Sequence, residues 1–443
     1  MNRYQTTLPE RIKYGLGDFA QNGVFTFMSS YFLFFCTDVA AIGLEYAGLI
    51  TFTGRMIDAL VSLFAGRCLD RIRSPFGKSR WLLLRLALPE LVLFAGCFAA
   101  PAVGAAAKNL YYLAVYACYC AVYAFSSVAY SALLTRISAQ RTDRLSLNLF
   151  KSLGAACGGV FVTMCTLRLV QTAGTPQQGY ARAACIVAAL FLAALGLCIQ
   201  GTRERVRETE AEPDAAGGFL ASLKAAAGCK AWRVLCVVNF AELFLYSMHT
   251  QSVMYYAKYY LGAEQLSALI LTMLQIASVL IAFVMPALSM RIGAKRCVIL
   301  GNAIWCAAML GNLLAGRQLW LVYLCSAAAS VGWAIATGNI FVMISDASDS
   351  VERQNGRRLD GFVTATLIFA MKAGTALAGL ALSMLMKKGA FTAGAAANGA
   401  VTRVILINYL WIPLAVSAAV ILCMRMYPEQ RPAPGNSQLE GTK

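Results

Sequence analysis

Charged residues are scarce in this chain, 13% of 443 residues against 59% hydrophobic. An average soluble domain is about half apolar and about a quarter charged, so a water-soluble enzyme of this composition would lack the polar surface to cover itself. Histidine is reduced to His249, and none of the 15 cysteines forms a Cys-x-x-Cys pair, which excludes the usual zinc spacings. The cysteines are odd in number, and Cys36, Cys97, Cys118, Cys120, Cys185, Cys198, Cys306 and Cys325 lie inside apolar runs. There they act as small hydrophobes and imply no oxidised framework. No phosphate-binding loop is present, which argues against ATP-driven pumping. No nucleophile–base pair supports an enzyme, and no cofactor is implied.

What the chain has instead is long apolar runs. A bilayer-spanning helix needs about 20 mainly apolar residues, and twelve such windows occur, near 15–38, 43–65, 81–104, 110–135, 150–170, 180–200, 232–257, 265–288, 297–315, 319–345, 360–386 and 404–425. The first is read as a retained span, since a cleaved signal peptide would be shorter. The reading is an all-α integral membrane protein of twelve transmembrane helices in two six-helix bundles. Residues 1–200 form the N-terminal bundle, 201–231 a cytoplasmic linker, 232–427 the C-terminal bundle and 428–443 a disordered tail. The Arg/Glu-rich part of the linker is expected to form a short solvated helix.

The net charge of +17 follows the same plan. Arg67, Arg71, Arg73, Lys78 and Arg80 crowd the connection after the second span, whereas Lys108 stands alone in the next. That bias is topological and places both termini in the cytoplasm of a multi-pass cell-membrane protein. The partners implied are membrane lipids and a small-molecule solute, with no nucleic acid; the expected state is a monomer.

The halves echo each other. Gly66, Asp70, Arg71, Gly77, Lys78 and Arg80 lie between spans 2 and 3, and Arg291, Gly293, Lys295 and Arg296 lie between spans 8 and 9. Repeated bundles place a solute site near the midplane, between the halves. The first of these loops, Gly-x-x-x-Asp-Arg-x-x-x-x-x-Gly-Lys-x-Arg, resembles the signature loop of the major facilitator superfamily. Three further stretches narrow the resemblance to the glycoside–pentoside–hexuronide:cation symporters. They are Lys13 to Phe19 (KYGLGDF), Arg55 to Ala59 (RMIDA), and Asp346 to Gly361 (DASDSVERQNGRRLDG) with its Gly356, Arg357 and Arg358.

The resemblance implies a secondary active transporter that moves a sugar, glycoside or uronide with H⁺ or Na⁺ by alternating access. The alternatives on the same fold are a uniporter or carrier of a non-sugar solute, and a non-transporting sensor. Charges inside a bilayer are costly and usually functional. Asp58 falls at a coupling-carboxylate position, and Lys372 at a lysine that interacts with the acidic cluster. Arg55, one helical turn from Asp58, shares its face. The family's other coupling acids fall at Asn22, Ser62 and Ser126, its stacking tryptophan at Tyr130 and a span-5 arginine at Asn148. With three acids neutral, this part of the pocket is biased positive, which suits an anionic solute. Asp18 is a further candidate for the solute site. Glu242 and His249, on one stripe of span 7, are candidates for a proton relay. Asp70, Arg71, Lys78, Arg80, Gly356, Arg357 and Arg358 form the expected cytoplasmic gate.

Overall fold

The computed structural model describes residues 5–70, 72, 74–138, 140–206, 219–355, 359–392 and 399–428. Among these residues all regular structure is helical. The first half contains α1 (Leu8–Phe34, extended by a π-helical turn, Phe35–Val39), α2 (Leu44–Asp70), α3 (Lys78–Gly96), α4 (Ala105–Ile137), α5 (Arg141–Gln171) and α6 (Pro176–Gly201). A short α7 (Phe219–Gly228) precedes the second half. That half contains α8 (Lys230–Tyr255, extended by the π-turn Tyr256–Tyr260), α9 (Leu266–Ile292), α10 (Ala294–Ala315), α11 (Leu319–Thr337), α12 (Ile340–Asn355), α13 (Asp360–Lys388), α14 (Gly399–Leu406) and, after a π-turn at Ile407–Trp411, α15 (Ile412–Arg425). Ten described stretches are long and apolar enough to cross a membrane. α1, packed against α5 and α6, and α3, packed against α4 and α6, complete the twelve.

Two details differ from the sequence reading. The tenth span is two helices, because the path breaks at Gly338–Asn339 and α12 carries on to Asn355. The linker helix is α7, in the apolar part of the linker; its Arg/Glu-rich part falls partly on residues outside those described, as does the tail beyond Pro428.

The packing is a repeat. In the first half α1 lies against α5 and α6, α2 against α4, and α3 against α4 and α6. In the second, α8 lies against α13 and α15, α9 against α11, and α10 against α11 and α15. Each pairing has its counterpart. Between the halves, α1 meets α8, and the contact of α2 with α13 is mirrored by that of α9 with α5. The third helix of each half starts behind a glycine in the left-handed region, Gly77 (φ 101°) and Gly293 (φ 83°), a conformation most side chains avoid. The basic glycine loops of the sequence are therefore equivalent turns.

Glycine also sets how closely the first helix of each half is held. A Cβ built on Gly154 of α5 would stand 1.9 Å from the Gly15 carbonyl oxygen of α1, and one on Gly374 of α13 would stand 2.2 Å from the Phe240 carbonyl oxygen of α8. Small residues allow this approach where lipid provides no hydrophobic drive between helices.

Among the described residues the halves close together at one end. On α1 and α8, alternating exposure gives way to unbroken burial at Thr26–Thr37 and Leu245–Ala257, toward the face opposite the N-terminus, here the far face. The terminal face, where α1 begins, leaves Asn148 and Ser152 of α5 exposed. A substitution Gly154→Val should force α1 and α5 apart and cost about 1–3 kcal/mol, as overpacking does. The readout is the thermal midpoint of the purified protein in detergent; an unchanged midpoint would contradict the close crossing.

Candidate functional site

One ion pair joins the halves near their middle. Lys372 of α13 donates from Nζ to Asp58 Oδ1 of α2 at 2.5 Å and to Ser62 Oγ at 2.6 Å; Ser62 Oγ lies 3.4 Å from the same carboxylate oxygen. The Asp58 side chain is 5% exposed and that of Lys372 22%. Lys372 thus meets Asp58, the partner expected for it, and Ser62 joins the pair. Breaking such a buried pair by deleting one partner is strongly destabilising, because the other charge is left uncompensated.

Arg55, one turn from Asp58, points elsewhere. Its Nη2 donates to Ser29 Oγ at 2.8 Å, and its guanidinium lies 4.8 Å from the Phe25 ring centre. Among the described residues no carboxylate forms an ion pair with it. It faces a narrow cavity between the halves, shared with Ser29, Thr51, Tyr116, Gln251 and Thr375. These hydroxyl, amide and guanidinium groups offer several donors and few charged acceptors. With Asp58 neutralised by Lys372, the uncompensated charge at the cavity is positive.

The other candidates are dispersed. Tyr130 stacks on Tyr14 at 5.0 Å and donates to the Tyr14 carbonyl at 2.9 Å, with Lys151 Nζ 5.6 Å from its ring. Its ring lies under the first helix, and Asp18 feels the same lysine. Asn148 is exposed toward the terminal face. Asn22 bridges α1 to α5, donating to the Ala155 carbonyl at 2.8 Å. Ser126 is fully buried within the first half and accepts from Gln21 Nε2 at 2.7 Å. In the second half Glu242 accepts from Asn302 Nδ2 at 2.6 Å, and Asn302 Oδ1 accepts from Ser417 at 2.7 Å. His249 sits between Tyr409 (4.6 Å, stacked) and Trp305 (5.0 Å, edge-on), with Nδ1 lacking a partner. Glu242 and His249 share a helix face but have separate neighbours.

Of the expected gate, Arg71, Gly356, Arg357, Arg358 and the Asp70 side chain lie outside the described residues. Lys78 and Arg80 begin α3, and their backbone N–H groups donate to Glu204 at 3.0 and 2.9 Å. A carboxylate from the linker therefore caps this helix start. Arg80 Nε reaches the Ile199 carbonyl at 2.9 Å, and Arg205 grips Glu10 with two bonds of 2.8 Å. Beside them, buried Asp143 accepts from Gln5 N (2.9 Å), Thr6 (2.7 Å) and Ser138 (3.0 Å), and pairs with Arg11 at 3.3 Å. Together these bonds clasp α1, α3, α4, α5 and the linker into one body.

The far-face seal was missed in the sequence. Asp38, in the π-turn after α1, accepts from Lys258 at 2.8 Å and from the Tyr259 hydroxyl, both in the π-turn after α8. Thr37 and Tyr255 share a 2.8 Å bond beside them, and Glu45 pairs with Lys387. A signal existed: opposite charges stand at matching points of the repeat, just past the first span of each half. Glu90, a buried acid of α3, was also missed; it is a lone carboxylate in the run LALPELVLF.

Comparison with known proteins places this geometry. A family profile described as MFS/sugar transport protein matches residues 13–431. The isoprimeverose transporter of Lactiplantibacillus pentosus is 25% identical, over 96% of this chain and 89% of its own. A putative 2,3-dihydroxypropane-1-sulfonate exporter of Escherichia coli is 28% identical, over 84% and 81%. Among solved structures, the D-xylose-proton symporter superposes with a TM-score of 0.69 at 14% identity, covering 95% of this chain and 98% of that one, which establishes the shared twelve-helix fold.

Two outcomes follow from the site and the clasp. Lys372→Ala should cost about 3 kcal/mol or more, and adding Asp58→Ala should recover part of that loss, because the orphaned charge is removed. A double-mutant cycle on thermal midpoints reads this; strict additivity would show that the pair is uncoupled. Burial pushes the Asp143 carboxyl up, but the bonds from Thr6, Gln5 and Ser138 outweigh it and hold it below the ordinary carboxylate value of 3.8. Its stabilisation is then present above that value and lost as the pH falls through the lower folded-state value. Asp143→Asn should lower the midpoint at neutral pH and reduce its fall in acid, and a fall as steep as in the wild type would contradict the assignment.

Proposed function

The chain belongs to the MFS/sugar transport protein family and is a multi-pass membrane transporter, not an enzyme, and on that premise we propose that it carries a small acidic sugar derivative of the uronide class in symport with a cation. The observation that carries this reading is the division of charge at the centre. Lys372 neutralises Asp58 across the halves, while Arg55 faces the cavity without a carboxylate. An anionic solute supplies the counter-charge, and the surrounding hydroxyl and amide groups suit a polyol. The names of the relatives support both features, one a sugar and the other a sulfonate.

Asp58 is the coupling group in this reading. A cation binding there, a proton in preference to sodium given the neutral residues at Asn22, Ser62 and Ser126, competes with Lys372 for the carboxylate. Release of Lys372 loosens the tie between α2 and α13, so the two bodies can rock. The far-face bonds of Asp38 with Lys258 and Tyr259 then form the outer closure, and the clasp around Asp143 keeps the first half rigid as it moves. The basic loop before α3 supports a cytoplasmic terminal face by the positive-inside rule, and in this reading the conformation is closed outward.

Reconstituted liposomes test this. A hexuronide should accumulate under an inward proton gradient, and an uncharged glycoside should compete poorly. Arg55→Gln should weaken binding of the acidic solute by about tenfold or more, since a charge-assisted bond contributes roughly 1.5–3 kcal/mol. Asp58→Asn should abolish accumulation yet retain solute binding. If neither a pH nor a sodium gradient drives uptake of any glycoside or uronide, the symport reading is overturned.

A further inference from the structure

Each half contains one buried acid–amide pair joining its first and third helices, with the roles exchanged. In the first half Gln21 of α1 donates to Glu90 of α3, at 3.3 Å from both carboxylate oxygens; in the second, Asn302 of α10 donates to Glu242 of α8. Glu90 is 1% exposed and Gln21 4%. A carboxylate in such a place needs either a cation or a proton. Among the described residues no lysine or arginine pairs with Glu90. The nearest basic group on α2, Arg55, directs its hydrogen bond to Ser29.

The two pairs differ in whether their donors suffice. In the second half Asn302 donates to Glu242 and to the Val298 carbonyl, and its own oxygen accepts from Ser417. In the first half Gln21 donates to Glu90 and Ser126, and the Ser126 hydroxyl stands beside the Glu90 carboxyl. The buried Gln21 Oε1 is left with no donor. A proton on Glu90 supplies the one missing donor, because a protonated carboxyl can both accept and donate. On α4, Tyr119 and half-buried Tyr123 lie within electrostatic reach of Glu90, and Tyr123 also feels Asp58, Arg55 and Asp18. Tyr123 stacks near Phe25, the ring under Arg55. The remaining groups touching the carboxyl, Gln21 and Ser126, do not titrate.

We propose that Glu90 is a second proton-binding carboxyl of the transport cycle, protonated in this conformation because it is buried without a cation, and emptied when the halves rock. The proton taken up by the carboxylate oxygen from water on one side leaves that oxygen to water on the other, and no other bond changes. This rests on the symport reading above.

The test is Glu90→Gln in proteoliposomes containing a pH-sensitive dye, with hexuronide as the probe. The wild type should move protons when solute is added. The variant should bind solute, accumulate less of it and lose the acid limb of its pH–uptake profile, while Glu90→Asp restores that limb in part. Should Glu90→Gln fail to fold, Gln21→Leu and Ser126→Ala should each shift the pH profile without abolishing uptake, and unshifted profiles overturn the proposal. Solute-driven proton movement equal in the wild type and Glu90→Gln overturns it too and leaves the symport reading intact. No proton movement in the wild type overturns it as well and leaves symport to a sodium ion, which a sodium-gradient uptake assay then tests.

Discussion

A charge inside a bilayer must find an opposite charge, a proton or water, and the polar interior of this protein is organised by that requirement. Lys372 meets it by crossing from α13 to Asp58 on α2, so the charge that would be most expensive in lipid becomes the tie between the two bodies. Asp38 and Lys258 repeat the arrangement at the far face. Each of these ties must be replaced before the halves can separate. In the proposed reading these are bonds that a cation or an anionic solute exchanges, with Arg55 receiving the anion.

The repeat separates those ties, which join the halves, from the contacts that stiffen each half. Gly154 and Gly374 bring a helix of each half against that half's first helix at backbone distance, and the clasp of Glu10, Asp143 and Glu204 binds the ends of the first half together. Each half is therefore stiff. Among the described residues the helix contacts between halves run mainly along α1 with α8, α2 with α13 and α5 with α9, and the polar bonds between the halves run from the midplane to the far face. Stiff bodies meeting along few helices change their relation by rocking more readily than by deforming.

Some of the site was readable along the chain, and its limits have a physical cause. Asp58 and Lys372 were legible because a charge stands out in an apolar run, and the structure joins them to Ser62, which resemblance alone had placed. Asn22, Ser126, Tyr130 and Asn148 were placed by resemblance alone, and they stand in different neighbourhoods. Asn22 is spent on the Ala155 carbonyl and Ser126 on Gln21. Glu90 stood out by the same rule as Asp58 but had no motif around it. Glu204 was hidden in a linker whose composition suggested only solvation, because nothing in a sequence tells which helix start a distant carboxylate caps.

The sequence by itself determined the fold class, the twelve spans and the two-half plan, because hydropathy over about 20 residues and loop charge are local quantities that the bilayer reads directly. Apart from the Lys372–Asp58 pair, which the resemblance implied, only the tertiary structure decided which polar groups share a neighbourhood. Lys372 lies 314 residues from Asp58, Lys258 lies 220 from Asp38 and Glu90 lies 69 from Gln21. A lone charge in a span announces that it needs a partner, but the partner is chosen by how helices cross, and those crossings depend on glycine positions and on a pseudo-two-fold arrangement that no single segment encodes.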